Sequence, residues 1–581
     1  MRIRKQMGAA LLLTFAVALA GCKRGGNASS DGAGSGGITG TASGNASGGT
    51  VSVDPERYTD EDLDDQWAEE AATVVSLDGS AFSISGPGAA AAGKVLTISK
   101  DGIYVLQGTL TDGQVVVEAG KEATVKLVLD GADLSCQDGA PLYIKEAGRV
   151  VLTLADGTVN ALTDAETYTY AAGEDEPNAA LFSKENLTIN GTGSLTVTGR
   201  YNNGIASKDD LVIVDGSITV NSAHDGIRGK DSISVRGGSA AVSKTDNSGI
   251  PGWDFRPGGT QTTTADTESY KGVKAGTSLT LQGGTFVIDA ADDALHANGD
   301  VTVSDGSYDL STGDDGVHAD GILSISGGTV VVRTSYEGLE GTDVSISGGD
   351  IQVKASDDGI NAAGGSDTGE AGGWRGPDSF QSGGNHTVSI SGGTVVIDAD
   401  GDGLDSNGSL TISGGLVLVS GPTNSGNGAL DYDGSCTVTG GVLIAAGSAG
   451  MAQAPGSSST QAVLMITYTS TQPAGTLIGL TDAKGGLTAA FSPAKAYQSV
   501  IICTPTLSQG ERYTLYSGGT CSGGDISGYA ASGTLSGSAE LSTVTLSGVV
   551  TSVRSDGSAA GGAGGGMAPG GGGGFGGRPG R

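Results

Sequence analysis

Aromatic and basic side chains are both scarce in this sequence. Of 581 residues only 4% are aromatic, and 31 Lys and Arg stand against 64 Asp and Glu, which gives a formal net charge of −33. This balance argues against nucleic acid and anionic membrane surfaces as partners, because both repel an acidic protein. Neutral ligands, cations, and acidic ligands bridged by cations remain as candidates.

Long apolar runs are lacking after the first 22 residues, so no other segment is expected to span a membrane. Residues 1–22, MRIRKQMGAALLLTFAVALAGC, combine a basic start, an apolar stretch and small residues, which is typical of a secretory signal. The ending LAGC resembles the lipobox of bacterial lipoproteins, which implies that Cys22 is lipidated and becomes the mature N-terminus. We therefore expect an extracellular protein that is lipid-anchored to the bacterial cell membrane. The alternative is ordinary secretion with a free Cys22.

Cysteine is also rare, with four residues after Cys22. Cys503 and Cys521 flank a predicted hairpin and could form a disulfide. Cys136 and Cys436 are so far apart in sequence that their pairing cannot be predicted from it. The alternative is that all four are reduced.

Glycine, in contrast, is abundant and periodic. The repeat length is 22 residues from position 272 to 338, and the longer steps from 226 to 272 and from 359 to 403 are explained by inserted loops. Each repeat holds three short alternating runs, such as GVHA, ILSIS and TVVVRT within residues 316–334, with SGG between the second and third. We predict an all-β fold, a right-handed single-stranded parallel β-helix with repeats of about 22 residues. One buried column should contain Leu295, Val317, Leu339, Ile360 and Leu404.

The composition divides the chain into six parts. These are a lipoprotein signal peptide (1–22), a flexible linker (23–54), an acidic lead-in with an N-terminal β cap (55–139), the parallel β-helix (140–450), a C-terminal β module (451–550) and a disordered Gly-rich tail (551–581). Cell-wall attachment is an alternative role for the tail.

Acidic residues recur at one position of the repeat. In a parallel stack, residues one period apart lie about 4.8 Å apart. Two unit charges near that distance repel by roughly 3–4 kcal/mol at an effective dielectric of 20, unless cations compensate. We therefore predict Ca²⁺ as a cofactor, because it prefers six to eight oxygen ligands. The predicted metal ligands are Asp292, Asp293, Asp314, Asp315, Glu337, Asp357, Asp358, Asp402 and Asp405. The alternative is that each aspartate only caps its own turn.

Other side chains near this column suggest a groove for a ligand. Aromatic rings beside acidic groups suit sugar rings, and the inserts 245–270 and 364–386 carry two of the three tryptophans. The predicted ligand-binding residues are His296, His318, Glu340, Asn361, Trp253 and Trp374. Alternatively, the histidines stack on one another and the rings pack under their own loops.

The chain resembles a known family, the secreted bacterial carbohydrate-binding domain-containing β-helix proteins. These proteins are related in fold to pectate lyases. The matching stretches are GEDEPNAALFSKENLTINGTGSLTV (173–197), YNNGIASKDDLVIVDGSITV (201–220), HDGIRGKDSISV (224–235), the later DDG repeats, AYQSVIICTP and RYTLYSGG. The resemblance implies binding of calcium and of plant-wall polysaccharides, cellulose-like or pectic.

The related lyases imply a possible enzymatic role. In those enzymes calcium acidifies a galacturonate proton and a lysine or arginine removes it, so Lys271, Lys274 and Arg228 are the catalytic candidates here. None of the three matches a lyase motif, and they could instead neutralise the acidic column. A purely structural surface spacer or adhesin is the second alternative.

Overall fold

The protein is all-β and contains almost no helix. In the computed structural model, residues 57–244, 269–363, 385–523 and 526–560 are described. A short helix, α1 (Asp60–Leu63), and a 3₁₀ turn (Glu69–Ala71) precede the first strand. Neither helical segment of the described chain has the length and apolarity needed to cross a bilayer.

The first strands build the N-terminal end. They are β1 (Thr73–Gly79), β2 (Ala81–Ser85), β3 (Ala89–Ala92), β4 (Val95–Ile98), β5 (Gly102–Leu110), β6 (Gln114–Ser135), β7 (Leu142–Leu154) and β8 (Val159–Thr163). The antiparallel pairs β1–β2 and β3–β4 lie at this end, and the pairs that follow are parallel. Parallel stacking therefore begins well before residue 140, inside the segment predicted as an N-terminal cap.

The central strands are short and numerous. They are β9 (Ala179–Ser183), β10 (Leu187–Asn190), β11 (Ser194–Gly199), β12 (Asn203–Ser207), β13 (Leu211–Ile213), β14 (Ser217–Ser222), β15 (Ile227–Gly229), β16 (Ser232–Val235), β17 (Ser239–Lys244), β18 (Val273–Ala275), β19 (Ser278–Asp289), β20 (Leu295–Ala297), β21 (Asp300–Ser311), β22 (Val317–Ile325), β23 (Thr329–Thr334), β24 (Leu339–Ile346), β25 (Asp350–Ala355), β26 (Ile360–Ala362), β27 (His386–Ile390), β28 (Thr394–Ala399), β29 (Leu404–Ser406), β30 (Gly408–Ile412), β31 (Leu416–Ser420), β32 (Cys436–Val438) and β33 (Val442–Gly447).

These strands pair in three parallel rows. Row 1 contains β4, β9, β12, β15, β18, β20, β26, β29 and parts of β6, β7, β22 and β24. Row 2 contains β10, β13, β16, β27, β30, β32 and parts of β5, β6, β7, β19, β21, β22 and β24. Row 3 contains β8, β11, β14, β17, β23, β25, β28, β31, β33 and parts of β5, β6, β19 and β21.

The register confirms the predicted columns. Leu295 pairs with Val317, which pairs with Leu339, followed by Ile360 and Leu404. All five side chains are 0% exposed, and they belong to one continuous apolar core. Because no single repeat encloses these side chains, each repeat depends on its neighbours for burial.

The second glycine of SGG has the backbone geometry that the sequence predicts. Gly328, Gly349, Gly393 and Gly415 have φ values of 79°, 93°, 79° and 79°, in the left-handed region that favours glycine. This turn therefore redirects the chain from row 2 to row 3 at the same point of successive repeats.

The acidic lead-in packs along the outside of row 2. Asp62 is 2% exposed and lies 2.6 Å from the guanidinium of Arg149, and Asn190 donates its amide to the carbonyl oxygens of Asp62 and Asp64. Arg57 donates to Thr280, several repeats further along. The segment therefore spans successive row 2 strands.

The C-terminal part covers the last repeat with antiparallel strands. They are β34 (Val463–Gln472), β35 (Ile478–Asp482), β36 (Leu487–Phe491), β37 (Tyr497–Cys503), β38 (Arg512–Ser517), β39 (Thr520–Ser522), β40 (Tyr529–Ala530), β41 (Thr534–Ser536), β42 (Ala539–Thr545) and β43 (Val550–Arg554). Strand β37 pairs antiparallel with β33 and β34, so the large sheet is mixed. Strand β43 pairs with β34 and extends past the predicted boundary at residue 551.

The cysteines in the described residues are thiols. Cys136, Cys436 and Cys503 are buried, and Cys521 is partly exposed. Cys503 lies in the large sheet and Cys521 in the two-stranded sheet β39–β41, so the structure does not join them in the disulfide that the sequence allowed. Burial raises the pKa of the Cys503 thiol to about 11, which disfavours the reactive thiolate.

Neighbouring valines on β23 provide a matched test of the core. Val330 is 0% exposed, whereas Val331 points to the other face and is partly exposed. We expect Val330→Ala to lower the free energy of unfolding by about 2 kcal/mol, because methyl groups are lost and a cavity remains. Val331→Ala removes the same groups with an effect of about 0.5 kcal/mol or less. Denaturant unfolding midpoints measure both, and equal losses would contradict the assigned faces.

Candidate functional site

The central side chains of row 1 change character along the stack. In register order they are Tyr143, Phe182, Ala206, Arg228, Lys274, His296, His318, Glu340, Asn361 and Asp405. The row thus passes from aromatic through basic and imidazole to acidic groups. Two further polar columns precede the row 1 strands. One contains Asp293 and Asp315, the other contains Asp292 and Asp314, and together the two columns contain most of the predicted metal ligands.

The polar column that contains Asp225 and Asp293 forms several hydrogen bonds between side-chain oxygens and backbone N–H groups of the next repeat. Asp293 Oδ1 accepts from the backbone N–H of Asp315, 22 residues further on, at 3.1 Å. The same bond links Asn203 to Asp225 and Asp225 to Lys271 at 3.1 and 3.0 Å. These side chains therefore accept from backbone N–H groups of the next repeat and do not only cap their own turn.

Lys271 occupies the position between two such acids. Its ammonium nitrogen lies 2.5 Å from Asp293 Oδ2 and 3.1 Å from Asp292 Oδ1. Asp293 is 0% exposed, which opposes ionisation, but His296, Lys271 and His318 together hold its pKa well below the ordinary value. Burial and the charge of Asp293 instead raise the pKa of Asp292. This part of the acidic column is therefore neutralised by side-chain cations.

The two histidines lie one above the other on β20 and β22. Their ring centroids are 4.9 Å apart at an interplanar angle of 19°, and both residues are 1% exposed. His296 Nδ1 lies 2.8 Å from Asp293 Oδ2, and His318 Nδ1 lies 2.8 Å from Asp315 Oδ2. Stacking of the histidines, the alternative left open by the sequence, is what the structure shows.

The acidic part of the column, from Glu337 onward, differs. Burial and the charge of Glu340 raise the pKa of Glu337 to about 8, and burial with the charge of Asp402 raises that of Asp358 to about 10. Within the described residues, no lysine, arginine or histidine forms an ion pair with Glu337 or Asp358. At neutral pH these carboxyls must therefore hold protons or meet a cation.

Three groups of donor atoms in this region are close enough to share a metal ion. Within each group the atoms lie within 4.8 Å of one another, and the groups are Asp293/His296/His318, Asp315/His318/Glu340 and Asp292/Asp293/Asp314. Lys271 contacts Asp292 and Asp293, so its ammonium competes with a metal ion in the first and third groups.

A protein-family model now identifies the wider group. The model described as "Carbohydrate-binding domain-containing protein" matches residues 92–254, 245–316 and 314–472, more than half of the chain. The chain belongs to this family. Its three matched segments include strands of all three rows.

Individual relatives are similar over part of their length. A carbohydrate-binding domain-containing protein of Acetivibrio thermocellus is 48% identical over 124 residues, which are 21% of this chain and 43% of that protein. The chain thus spans less than half of this relative. A solved structure of a polysaccharide lyase-like protein from C. thermocellum, a gadolinium derivative, is 30% identical with a TM-score of 0.37, covering 44% of this chain and 96% of that one.

The predicted ligand-binding residues on row 1 are more buried than a sugar groove requires. His296, His318, Glu340 and Asn361 are between 1% and 8% exposed. Trp253, Trp374 and Cys22 lie outside the described residues. The exposed surface beside row 1 therefore comes from other residues.

Several half-exposed tyrosines flank row 1 and were missed in the sequence. Tyr201 stacks on Tyr168 with centroids 4.3 Å apart, and Tyr270 stacks on His224 at 4.7 Å. Tyr336 is also partly exposed, in the same column as Tyr270. Aromatic residues among the acids of one aligned column were the signal for Tyr270 and Tyr336, whereas Tyr201 lies outside that column.

The catalytic candidates lie together but differ in environment. Arg228 and Lys274 are register partners in row 1, and Arg228 pairs with Asp225 at 3.0 Å. Burial lowers the pKa of Lys274, whose ammonium donates to Ser269. Lys271 is committed to two carboxylates, so Lys274 is the better placed of the two lysines to accept a proton.

Removal of the Lys271 charge should destabilise the fold strongly. We expect Lys271→Met to lower the free energy of unfolding by about 3–5 kcal/mol, because Asp293 would keep a buried charge without its ammonium partner. The exposed Lys230 supplies the control, and Lys230→Met should change stability by about 0.5 kcal/mol or less. Unfolding midpoints at neutral pH measure the difference, and similar values for both variants would show that the pair is not structural.

Proposed function

We propose that this chain is a cell-surface, calcium-dependent protein that binds plant-wall polysaccharides, cellulose-like or pectic. Its scaffold is a right-handed parallel β-helix, and polysaccharide lies along the face formed by row 1 and its flanking columns. Family membership supports polysaccharide binding. The stack of in-register parallel rows supports the β-helix.

The observation that carries the calcium proposal is the contrast within the acidic column. Lysine and histidine neutralise it near Asp293, whereas Glu337 and Asp358 contact no cationic side chain of the described residues. Asp402 and Asp405 on the following repeat add carboxylates beside Asp358, and carboxylate oxygens are the ligands that Ca²⁺ prefers. Calcium bound there would neutralise the crowded carboxylates and could bridge to acidic sugars.

Partly exposed tyrosines form the second part of the proposed binding surface, beside the acidic residues. Tyr201, Tyr270 and Tyr336 lie beside row 1 on different repeats. Aromatic faces suit the apolar faces of sugar rings, and the neighbouring polar columns provide partners for hydroxyl groups. Platforms on separate repeats would suit a chain-like ligand.

The proposed location rests on the first residues of the sequence. A signal peptide ending in LAGC would place a lipid on Cys22, and the Gly/Ser-rich stretch after it would tether the stack to the membrane. The polysaccharide face would then be presented outside the cell.

Calcium dependence can be tested by stability. We expect Ca²⁺ at about 100 times its Kd to stabilise the wild type by about 2.7 kcal/mol relative to a chelator. Asp358→Asn should lose most of this gain, because a buried carboxylate ligand becomes a neutral amide. Asp350→Asn, at an exposed aspartate on β25, is the control and should keep it. Thermal unfolding in Ca²⁺ and in EDTA measures this stabilisation. Equal unfolding temperatures of the wild type in the two conditions would contradict the calcium proposal.

Polysaccharide binding can be tested by retention on insoluble cellulose and on polygalacturonate. We expect Tyr270→Ala to weaken binding about tenfold, equivalent to about 1.4 kcal/mol, because a sugar-stacking face is lost. Tyr516→Ala, at a half-buried tyrosine of the C-terminal part, should bind as the wild type does.

The same assay separates the alternatives. Unsaturated products from polygalacturonate with calcium, lost in Lys274→Met, would identify a lyase. The observation that favours this alternative is the position of Lys274 beside the acidic column without a carboxylate contact in the described residues. No retention on any glycan would leave a structural spacer or adhesin.

A further inference from the structure

One imidazole in row 1 is surrounded by three carboxylates. His318 Nδ1 lies 2.8 Å from Asp315 Oδ2 and 2.7 Å from Glu340 Oε2, and its Nε2 lies 3.1 Å from Asp320 Oδ1. The side chains of His318, Asp315 and Glu340 are 2%, 7% and 10% exposed. Three negative groups thus converge on one ring in a nearly dry environment.

The imidazolium ring alone cannot compensate all three carboxylates. An imidazolium has two N–H groups, so it can serve Asp320 through Nε2 and only one of the two carboxylates at Nδ1. Among the described residues, no lysine or arginine forms an ion pair with Asp315 or Glu340. The other carboxylate therefore needs a proton of its own or a cation, because an uncompensated charge is costly in a buried position.

A neighbouring side chain shows the same deficit. Asn361 is the register partner of Glu340 and is 7% exposed. Its amide nitrogen donates to Glu337, but its side-chain oxygen Oδ1 is buried and has no hydrogen-bond donor among the described residues. A buried oxygen without a donor among the described residues therefore lies on the strand next to Glu340.

We propose that Asp315, His318 and Glu340 form a binding site for a divalent transition-metal ion, with Zn²⁺ as the probe. The ion replaces the proton on Nδ1 and accepts both carboxylates, while Nε2–H donates to Asp320. A metal-bound histidine usually donates its other ring N–H to a carboxylate in this way. The dication also balances the two carboxylate charges.

The donor set selects against calcium at this position. Imidazole nitrogen suits zinc and its neighbours in the first transition row, whereas Ca²⁺ prefers six to eight oxygen ligands. The site is therefore distinct in chemistry from the oxygen-only set around Asp358. It is also independent of the proposed polysaccharide function, because no sugar takes part.

The ion would join two neighbouring repeats. Asp315 and His318 belong to the repeat of β22, and Glu340 lies on β24, where it pairs in register with His318. Metal binding should therefore stabilise the middle of the stack, since it cross-links strands that otherwise place acids side by side.

Calorimetric titration of the full, chelator-treated chain with ZnCl₂ in excess Ca²⁺ tests the proposal. We expect one tightly bound Zn²⁺ per chain whose affinity calcium does not lower. X-ray absorption at the zinc edge should show one histidine nitrogen with carboxylate oxygens, at about 2.0–2.2 Å. No zinc uptake, displacement by calcium, or a shell without histidine would each overturn it.

Variants add a second, independent readout. His318→Gln should weaken zinc binding at least tenfold. His386→Gln should not, because His386 contacts the carbonyl oxygen of Thr342 outside the cluster. Equal affinities for wild type and His318→Gln would also refute the site. If His318→Gln does not fold, the absorption spectrum of the wild-type zinc complex decides alone. Because no glycan is present in these measurements, their outcome is separate from that of the polysaccharide assays.

Discussion

Register is the constraint on which the rest of the molecule depends. When parallel strands stack in register, a residue faces its own equivalent on the next repeat at about 4.8 Å. For Val317 and Leu339 this is favourable, because identical apolar positions merge into one core. For acids it is unfavourable, since carboxylates on successive repeats, such as Asp293 and Asp315, lie next to each other. The chemistry of the row 1 face depends on which groups compensate the repulsion between these carboxylates.

The chain meets it differently in the two halves of the column. Near Asp293 the compensation is internal, through Lys271 and the stacked histidines. From Glu337 onward the carboxylates accumulate, and burial raises their pKa values instead. The charge of Asp293 is thus balanced within the chain. In the second half, Glu337 and Asp358 form no ion pair with a cationic side chain of the described residues, and this asymmetry is why we propose calcium there.

Much of this could be predicted from the sequence, because the repeat converts distance along the chain into position. The buried columns followed from strand alternation, and alignment placed Lys271 in the same column as Asp225 and Asp293. Burial of His296 and His318 could not be predicted, since alternation assigns both to the outward face. The start of parallel stacking was also missed, because strands such as β6 run through two turns and hide the period. Which backbone amide a carboxylate caps depends on the local path of the turn, which no residue pattern specifies.

The hydrogen bonds between side-chain oxygens and backbone N–H groups of the next repeat all run in one direction along the stack. This direction limits how the number of residues in the stack can change in evolution. Where such a bond forms, the side-chain oxygen accepts from a backbone N–H of the repeat that follows, as Asn203 does from Asp225 and Asp225 does from Lys271. If one whole repeat is gained or lost, the same hydrogen bonds can form again between the new neighbours. An insertion of part of a repeat at the turn before row 1 would instead leave a buried backbone N–H without an acceptor. Lineages of this protein should therefore differ by complete repeats, with irregular additions confined to positions away from these bonds.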